Sequence, residues 1–310
     1  MSQPTPARAL TPRLWVLNLD AELELARGGG PYQTPRSLLQ GIAPALPMAE
    51  RLLAPGDAVL ELDGTLRWPA AAGVGALPLS AAGWRGAAWC PTPAALARLA
   101  RAGAELPPSP GLSVLQRVNH RRFYLELGGG APGARYVSDE AELDATLGER
   151  RVWLFKRPFG FAGRGQRRIP LSLSADDRRW LGDGLRRGGF LAEPWLDLQL
   201  ELGLHGLLEA GGRLALGHIC VQQTNTYRAW VSTRRAHDGE LSPGHAARLR
   251  ERFETVAAAL ASAGYFGPFG VDAYLYQSES GSLLLNPLSE LNARFCMGYP
   301  VGSPRFEDEP

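Results

Sequence analysis

A chain of 310 residues with 45% hydrophobic and 21% charged side chains can bury one large core or several small ones, and its composition is that of a globular protein rather than a disordered one. A formal net charge of +2 is too close to balance for a nucleic-acid binder or a protein held on anionic membranes. No apolar run approaches the roughly 18 residues needed to cross a bilayer, the N-terminus lacks signal-peptide order, and Cys90, Cys220 and Cys296 are too few and too scattered for a disulfide framework or a zinc site. The expectation is a soluble, cytoplasmic protein.

Residues 14–19 (LWVLNL), 57–62 (DAVLEL) and 87–90 (AAWC) read as strands, and 91–104 reads as a helix with Pro near its start and Gly near its end. Strands alternating with helices predict a small α/β domain over residues 1–113. Gly28, Gly29 and Gly30 form a loop but do not make a dinucleotide fingerprint, because they neither follow a strand nor open a helix. A Pro-rich link at 107–111 precedes a helical stretch at 114–128. Ser138 is expected to cap a short acidic helix.

Residues 152–156 (VWLFK) read as a buried strand running into a Gly-rich loop and a second strand. Ser174 should cap a helix that Gly188 and Gly189 stop. Residues 190–196 (FLAEPWL) form a short strand. Residues 201–223 read as a hairpin turned near 210–212, and Ser242-Pro243 opens an amphipathic helix to about Ala263. Two last strands, FGVDAYLY and LLLNPLSELN, flank a polar turn at 278–282. The remaining chain divides into subdomains at 114–189 and 190–310.

Four features with chemical content follow in order. Lys156 is the only lysine among 33 basic residues, and arginine does not replace lysine where one compact amine must reach a phosphate oxygen. It sits at a strand end before Gly160, Gly163 and Gly165, which let backbone approach a phosphate closely; Arg164, Arg167 and Arg168 lie in the same loop. Read alone, this is a common Gly-rich hairpin, and it has no GK[ST] sequence of a Walker A loop. Second, Glu193 to Leu196 at a strand end can offer backbone groups to an adenine, and Glu201, eight residues on, can bind ribose; alone, both acids could be ordinary strand-end residues. Third, Asp272 lies among apolar strand residues, where an acid is costly unless paired or metal-bound. Fourth, Glu290 and Asn292 are two apart on a strand and share a face. With Asp272 they make an all-oxygen set suited to magnesium or manganese. Arg294 follows on that face. The alternative is a surface hairpin with alternating polar residues.

This order resembles the ATP-grasp superfamily, and within it carboxylate–amine ligases of the D-alanine–D-alanine ligase type, over roughly residues 115–310. The resemblance implies an α/β (α+β) fold in which two α/β subdomains grip ATP, preceded by a small α/β pre-ATP-grasp domain. It implies ATP contacts for Lys156, Gly160, Gly163, Gly165, Glu193, Leu196 and Glu201, and Mg2+ (or Mn2+) on Asp272, Glu290 and Asn292. It also implies an enzyme that activates a small-molecule or peptide carboxylate as an acyl phosphate for attack by an amine acceptor, with no nucleic-acid or membrane partner and with homodimers common. One departure stands out: these ligases often carry Arg two residues before the metal Asp, and here that residue is Gly270. Arg228 and Arg294 are the substitutes expected to steady the transferred phosphoryl group. Gly28–Ser37, Asn119–Arg122 and Thr224–Arg235 are the stretches expected to face substrate. A kinase acting on a hydroxyl, a nucleotide-binding regulator on the same fold, and a scaffold with coincidental motifs are the alternatives. Lys156→Ala is expected to abolish turnover at little cost in stability.

Overall fold

Apolar residues at alternate positions pull strand β1 (Arg13–Val16) into the middle of a sheet, where Leu14 and Val16 are fully buried. The computed structural model describes residues 12–69, 81–149, 151–160, 163–226 and 230–304. Two compact units divide the chain: residues 1–19 with 33–108, and residues 20–32 with 109–310.

In the first unit, β1 is joined by β2 (Ala58–Leu60), β3 (Leu66–Arg67) and β4 (Arg85–Ala88) in the order β3-β2-β1-β4. β1 pairs parallel with both β2 and β4, the pairing that crossover connections produce. Helix α1 (Ala21–Leu25) is grouped with the second unit; α2 (Arg36–Ile42), α3 (Leu46–Ala49) and α4 (Pro93–Arg101) belong to the first. Leu99 of α4 packs with Leu14, Val16 and Leu60 in the core. Asp57 is buried there because three donors meet it: the Arg13 N–H, the Trp15 indole and the Ala54 N–H.

The second unit holds two antiparallel sheets. The predicted helix at 114–128 is two helices, α5 (Leu112–Asn119) and α6 (Arg121–Glu126). The break is at His120, whose backbone is extended (φ −73°, ψ 130°) and whose Nδ1 accepts from the Arg122 N–H as a cap. β5 (Arg135–Val137) follows. Helix α7 (Glu140–Gly148) is capped by Asp139 rather than Ser138; the Ser138 hydroxyl and N–H both donate to Glu142. β6 (Trp153–Lys156) and β7 (Gln166–Ile169) form a hairpin, and α8 (Ala175–Arg186) starts at Ser174 with a full capping box. β8 (Phe190–Pro194) pairs with β5 and β6, giving the order β5-β8-β6-β7. Residues 190–194 therefore belong with the sheet of the 114–189 subdomain, not with the next subdomain as the sequence boundary had it. Trp153, Phe155 and Phe190 face the helices with Leu181. Strand alternation sends Leu154 and Lys156 to the other face.

The larger sheet runs β11-β10-β9-β12-β13. Its strands are β9 (Asp197–Leu208), β10 (Leu214–Thr224), β11 (Trp230–Arg235), β12 (Gly267–Gln277) and β13 (Leu283–Asn292). β11 falls within the stretch Thr224–Arg235 expected to face substrate, and β9 begins four residues before Glu201. Helix α9 (Pro243–Ser262) packs against this sheet, with Phe253 stacked on Phe269 at 4.4 Å. A short α10 (Tyr299–Gly302) completes the unit. No helix among the described residues is long and apolar enough to cross a membrane.

Candidate nucleotide and metal site

The register of β12 and β13 sets the acidic part of the site. Asp272 pairs directly with Glu290, and Gly270 with Asn292, so the two carboxylates and the amide project from neighbouring positions on one face. Asp272 Oδ1 accepts from Gln222 Nε2 at 2.6 Å, and Oδ2 accepts from Asn292 Nδ2 at 3.2 Å. Burial, and then the Glu290 carboxylate, push Asp272 up to about 7, against the hydrogen bonds that favour its charged form.

Glu290 behaves in the opposite way. Burial alone would raise it, but Arg121 and then Lys156 hold it below the usual carboxylate range. Arg121 Nη1 lies 2.8 Å from one Glu290 oxygen, and Lys156 Nζ lies 3.9 Å from the other. Lys156 is itself buried. Its amine is 2.7 Å from Glu193 Oε2, and Glu193 Oε1 accepts from the Ala131 N–H at 3.1 Å. Lys156 and Glu193 meet because Leu154 and Glu193 are register partners, which puts Lys156 diagonally across from the acid on the same face.

The loop after β6 explains its glycines. Gly163 and Gly165 have φ of 74° and 77°, in the left-handed region. A Cβ at Gly160 would stand 2.6 Å from the Arg164 carbonyl and 3.1 Å from an Arg121 guanidinium nitrogen, so only glycine fits between loop and cation. Arg157 N–H donates to the Gly165 carbonyl at 2.7 Å and closes the turn.

Glu201 projects from the interior of β9, accepts from the Thr224 hydroxyl, and pairs in register with Tyr274 of β12. At the end of β8, the Trp195 N–H donates to the Val152 carbonyl, one residue before Leu196. Arg294 is buried and ion-paired with Glu22, while one of its guanidinium nitrogens donates to the Phe295 carbonyl. In this conformation its charge is committed to Glu22, and its Nε and Glu22 Oε2 have no hydrogen-bond partner among the described residues. Arg228 lies outside the described residues. Arg121 was read only as part of a substrate-facing stretch, yet it enters the charged cluster: its Nε donates to the Arg157 carbonyl at 2.9 Å and its Nη1 meets Glu290. Arginine in an arginine-rich chain carries no compositional signal, so sequence alone could not single it out.

The donor set suits magnesium. Asp272 and Glu290 are like charges at adjacent positions, and a divalent cation would relieve their repulsion. Asn292 turns its N–H2 to Asp272 and leaves its carbonyl oxygen out of that bond. Among the described residues no group of three or more His, Cys, Asp or Glu is arranged to hold a metal. Two carboxylates and an amide make an incomplete shell of hard oxygens, which magnesium normally completes with water and phosphate oxygens.

No protein-family model matches the chain, and no curated protein matches its sequence. Solved structures match it in fold. N5-carboxyaminoimidazole synthetase from Staphylococcus aureus complexed with ADP aligns with a TM-score of 0.53 at 13% identity, over 91% of this chain and 70% of that one. A second structure of the S. aureus synthetase gives 0.50 at 12% identity, with the same coverage. A Rhizobium etli pyruvate carboxylase variant with acetyl coenzyme-A gives 0.52 at 14% identity, over 92% of this chain but only 26% of that one. These neighbours are ATP-grasp proteins. With its two antiparallel sheets, its strand-end lysine and its paired acids in the expected order, the chain has the ATP-grasp fold.

Proposed function

We propose that the chain is an ATP-dependent ligase that activates a carboxylate as an acyl phosphate for attack by an amine. The observation that supports this most is the position of Glu290. It stands between the cations Arg121 and Lys156 and the second carboxylate, Asp272, at adjacent strand positions. Cations at 2.8 and 3.9 Å on one side and an uncompensated acid on the other are what a nucleotide polyphosphate and its metal require.

In this reading Lys156 and Arg121 bind phosphate oxygens, and Gly160, Gly163 and Gly165 let the backbone approach them. Glu193 holds the Lys156 amine in place, Glu201 takes the ribose, and the backbone of Glu193 and Leu196 takes the adenine. Asp272, Glu290 and Asn292 hold Mg2+, which when bound neutralises charge on the transferring phosphoryl group. A substrate carboxylate oxygen bonds to the γ-phosphorus as the bond to the ADP oxygen breaks. The amine nitrogen then bonds to the acyl carbon, phosphate leaves, and the amine loses a proton. The chain supplies positioning and electrostatics rather than a nucleophile. Cys296 is buried and pushed up to about 12, first by burial and then by Asp272, so it stays a thiol. The S. aureus neighbour is a synthetase, solved in one structure with ADP, in keeping with ligation.

Hydroxylamine tests the reading without knowledge of the natural amine, because it converts an acyl phosphate to a hydroxamate. Purified protein with Mg-ATP, hydroxylamine and a panel of organic acids should release ADP and hydroxamate in equal amounts for at least one acid. ADP release with a phosphorylated alcohol and no hydroxamate would replace the ligase with a kinase.

A further inference from the structure

Helix α6 begins by sending consecutive side chains in different directions, as a 3.6-residue repeat demands. Arg121 enters the cluster with Glu290. His120 and Arg122 instead line a separate pocket of about 640 Å3. Phe159 lines it too, and the next residue, Gly160, is the one packed against the Arg121 guanidinium. The pocket and the charged cluster are therefore separated by a single layer of residues.

The pocket is a built feature. Its opposite wall is Leu25, Ala26 and Gly28. That segment is held by Gln116 Nε2, which donates to the Leu25 carbonyl at 2.9 Å, and by the buried Glu22–Arg294 pair, which ties it to the turn just beyond Asn292. The inner wall is aromatic. The His120 ring lies 5.6 Å from Tyr136 and stands edge-on to Phe159 at 5.2 Å. His120 Nδ1 accepts from the Arg122 N–H, and the Tyr136 hydroxyl donates to the Gly188 carbonyl at 2.6 Å, so neither ring is free to turn. Burial, then Arg122 and Arg121, push His120 below its usual range and keep it neutral. The charge at the mouth comes from Arg122, over the Tyr136 ring at 4.1 Å, and Arg117, over the Phe123 ring at 5.9 Å, against one lining carboxylate, Glu126, with Glu142 outside the lining also in the field of Arg122.

We infer that this pocket is the specificity subsite for the substrate acid, taking a flat or apolar body that bears an anionic group. The body lies against Tyr136, Phe159 and Phe123, and the anion meets the Arg117 and Arg122 guanidiniums. This assignment rests on the ligase reading, since only a substrate of that reaction has cause to sit one layer from the phosphate-binding cations. Two arginines against one lining acid select an anion over a cation, and fixed rings select a flat body over a small hydrated ion.

Saturation-transfer NMR on the full chain, with Mg2+ and a non-hydrolysable ATP analogue present, tests it. Benzoate is the probe, acetate supplies charge without the ring, and benzyl alcohol supplies the ring without charge. Benzoate should bind at least about tenfold more tightly than either control, and Arg122→Ala should weaken benzoate by a similar factor while the nucleotide signal is unchanged. Arg122 is exposed, so the variant folds, and the retained nucleotide signal verifies this. Nucleotide binding without benzoate binding, or equal benzoate binding in Arg122→Ala, overturns the subsite and leaves the ligase reading standing. Benzoate binding without nucleotide binding removes the ligase reading, and the subsite with it.

Discussion

One face of the five-stranded sheet ends in two contrasting ways. Toward one end it carries Glu201, Asp272, Glu290 and Asn292, with Arg121 and Lys156 against them. Toward the other end, four residues along β9 from Glu201, the same face carries His205, fully buried and neutral. There the chain makes room with glycine: a Cβ at Gly203, Gly270, Gly298 or Gly302 would stand 3.2, 2.8, 2.4 or 2.4 Å from an imidazole atom. His205 Nδ1 lies 3.3 Å from the Cys296 sulfur. Both ends bury polar groups, but only one buries net charge that its neighbours do not cancel. The proposed ligand site rests on that uncancelled charge, whereas the neutral imidazole sits in a fitted cage.

That contrast can be broken by mutation. The largest effect is expected for Lys156→Ala. Removing the amine leaves Glu193 buried without its partner, which costs about 3 kcal/mol of stability, and nucleotide binding is lost as well. This revises the sequence expectation of little stability change, because the Glu193 contact was not visible in the sequence. Adding Glu193→Gln should restore most of the stability but none of the nucleotide binding, as denaturant unfolding and calorimetric titration would show; recovery of binding would remove Lys156 from the site. Next is Asp272→Asn, which should lower turnover by about a hundredfold or more, a loss typical of removing one transition-state electrostatic contact, without lowering the melting temperature.

Smaller effects are expected at the neutral end. Gly298→Ala puts a methyl group into the imidazole and should cost about 1–3 kcal/mol through overpacking, with nucleotide affinity in the surviving folded protein unchanged. A matching loss of affinity would mean the two ends are coupled. A further effect is on pH. Burial lowers the His205 pKa to about 4 from an ordinary value of 6.5, so between those values the unfolded chain binds the extra proton. Stability therefore rises with pH across that window and is lost as pH falls through it. His205→Asn should flatten the pH dependence of stability between pH 4 and 6.5; an unchanged slope would show that other groups dominate it.

The parts of this molecule that could be read from sequence were those with local signatures. The apolar run before it put Lys156 at a strand end, Ser174 and Ser242 announced helix starts, and the spacing of Asp272, Glu290 and Asn292 placed an oxygen set on adjoining strands. Long-range pairings stayed hidden. Arg121 meets Glu290 across 169 positions of sequence, and Glu22 meets Arg294 across 272. Nothing local in the composition of either segment marks those contacts. The helix break at His120 escaped for a related reason: its cap is an imidazole, not one of the residues that signal a helix start. The strand Trp230–Arg235 has no strand signature in the sequence, because neither alternate set, Trp230, Ser232 and Arg234 or Val231, Thr233 and Arg235, makes an apolar face.

Thermal unfolding with a non-hydrolysable ATP analogue, with and without Mg2+, in the native chain and in the Lys156→Ala, Glu193→Gln double variant decides whether the charged end of the sheet is a metal–nucleotide site. A ligand that binds only the folded state adds about 2.7 kcal/mol at a hundred times its dissociation constant. The melting temperature of the native chain should rise clearly, only with Mg2+ present, and that of the double variant should not. No rise with millimolar nucleotide, or the same rise in the double variant, would contradict the metal–nucleotide site.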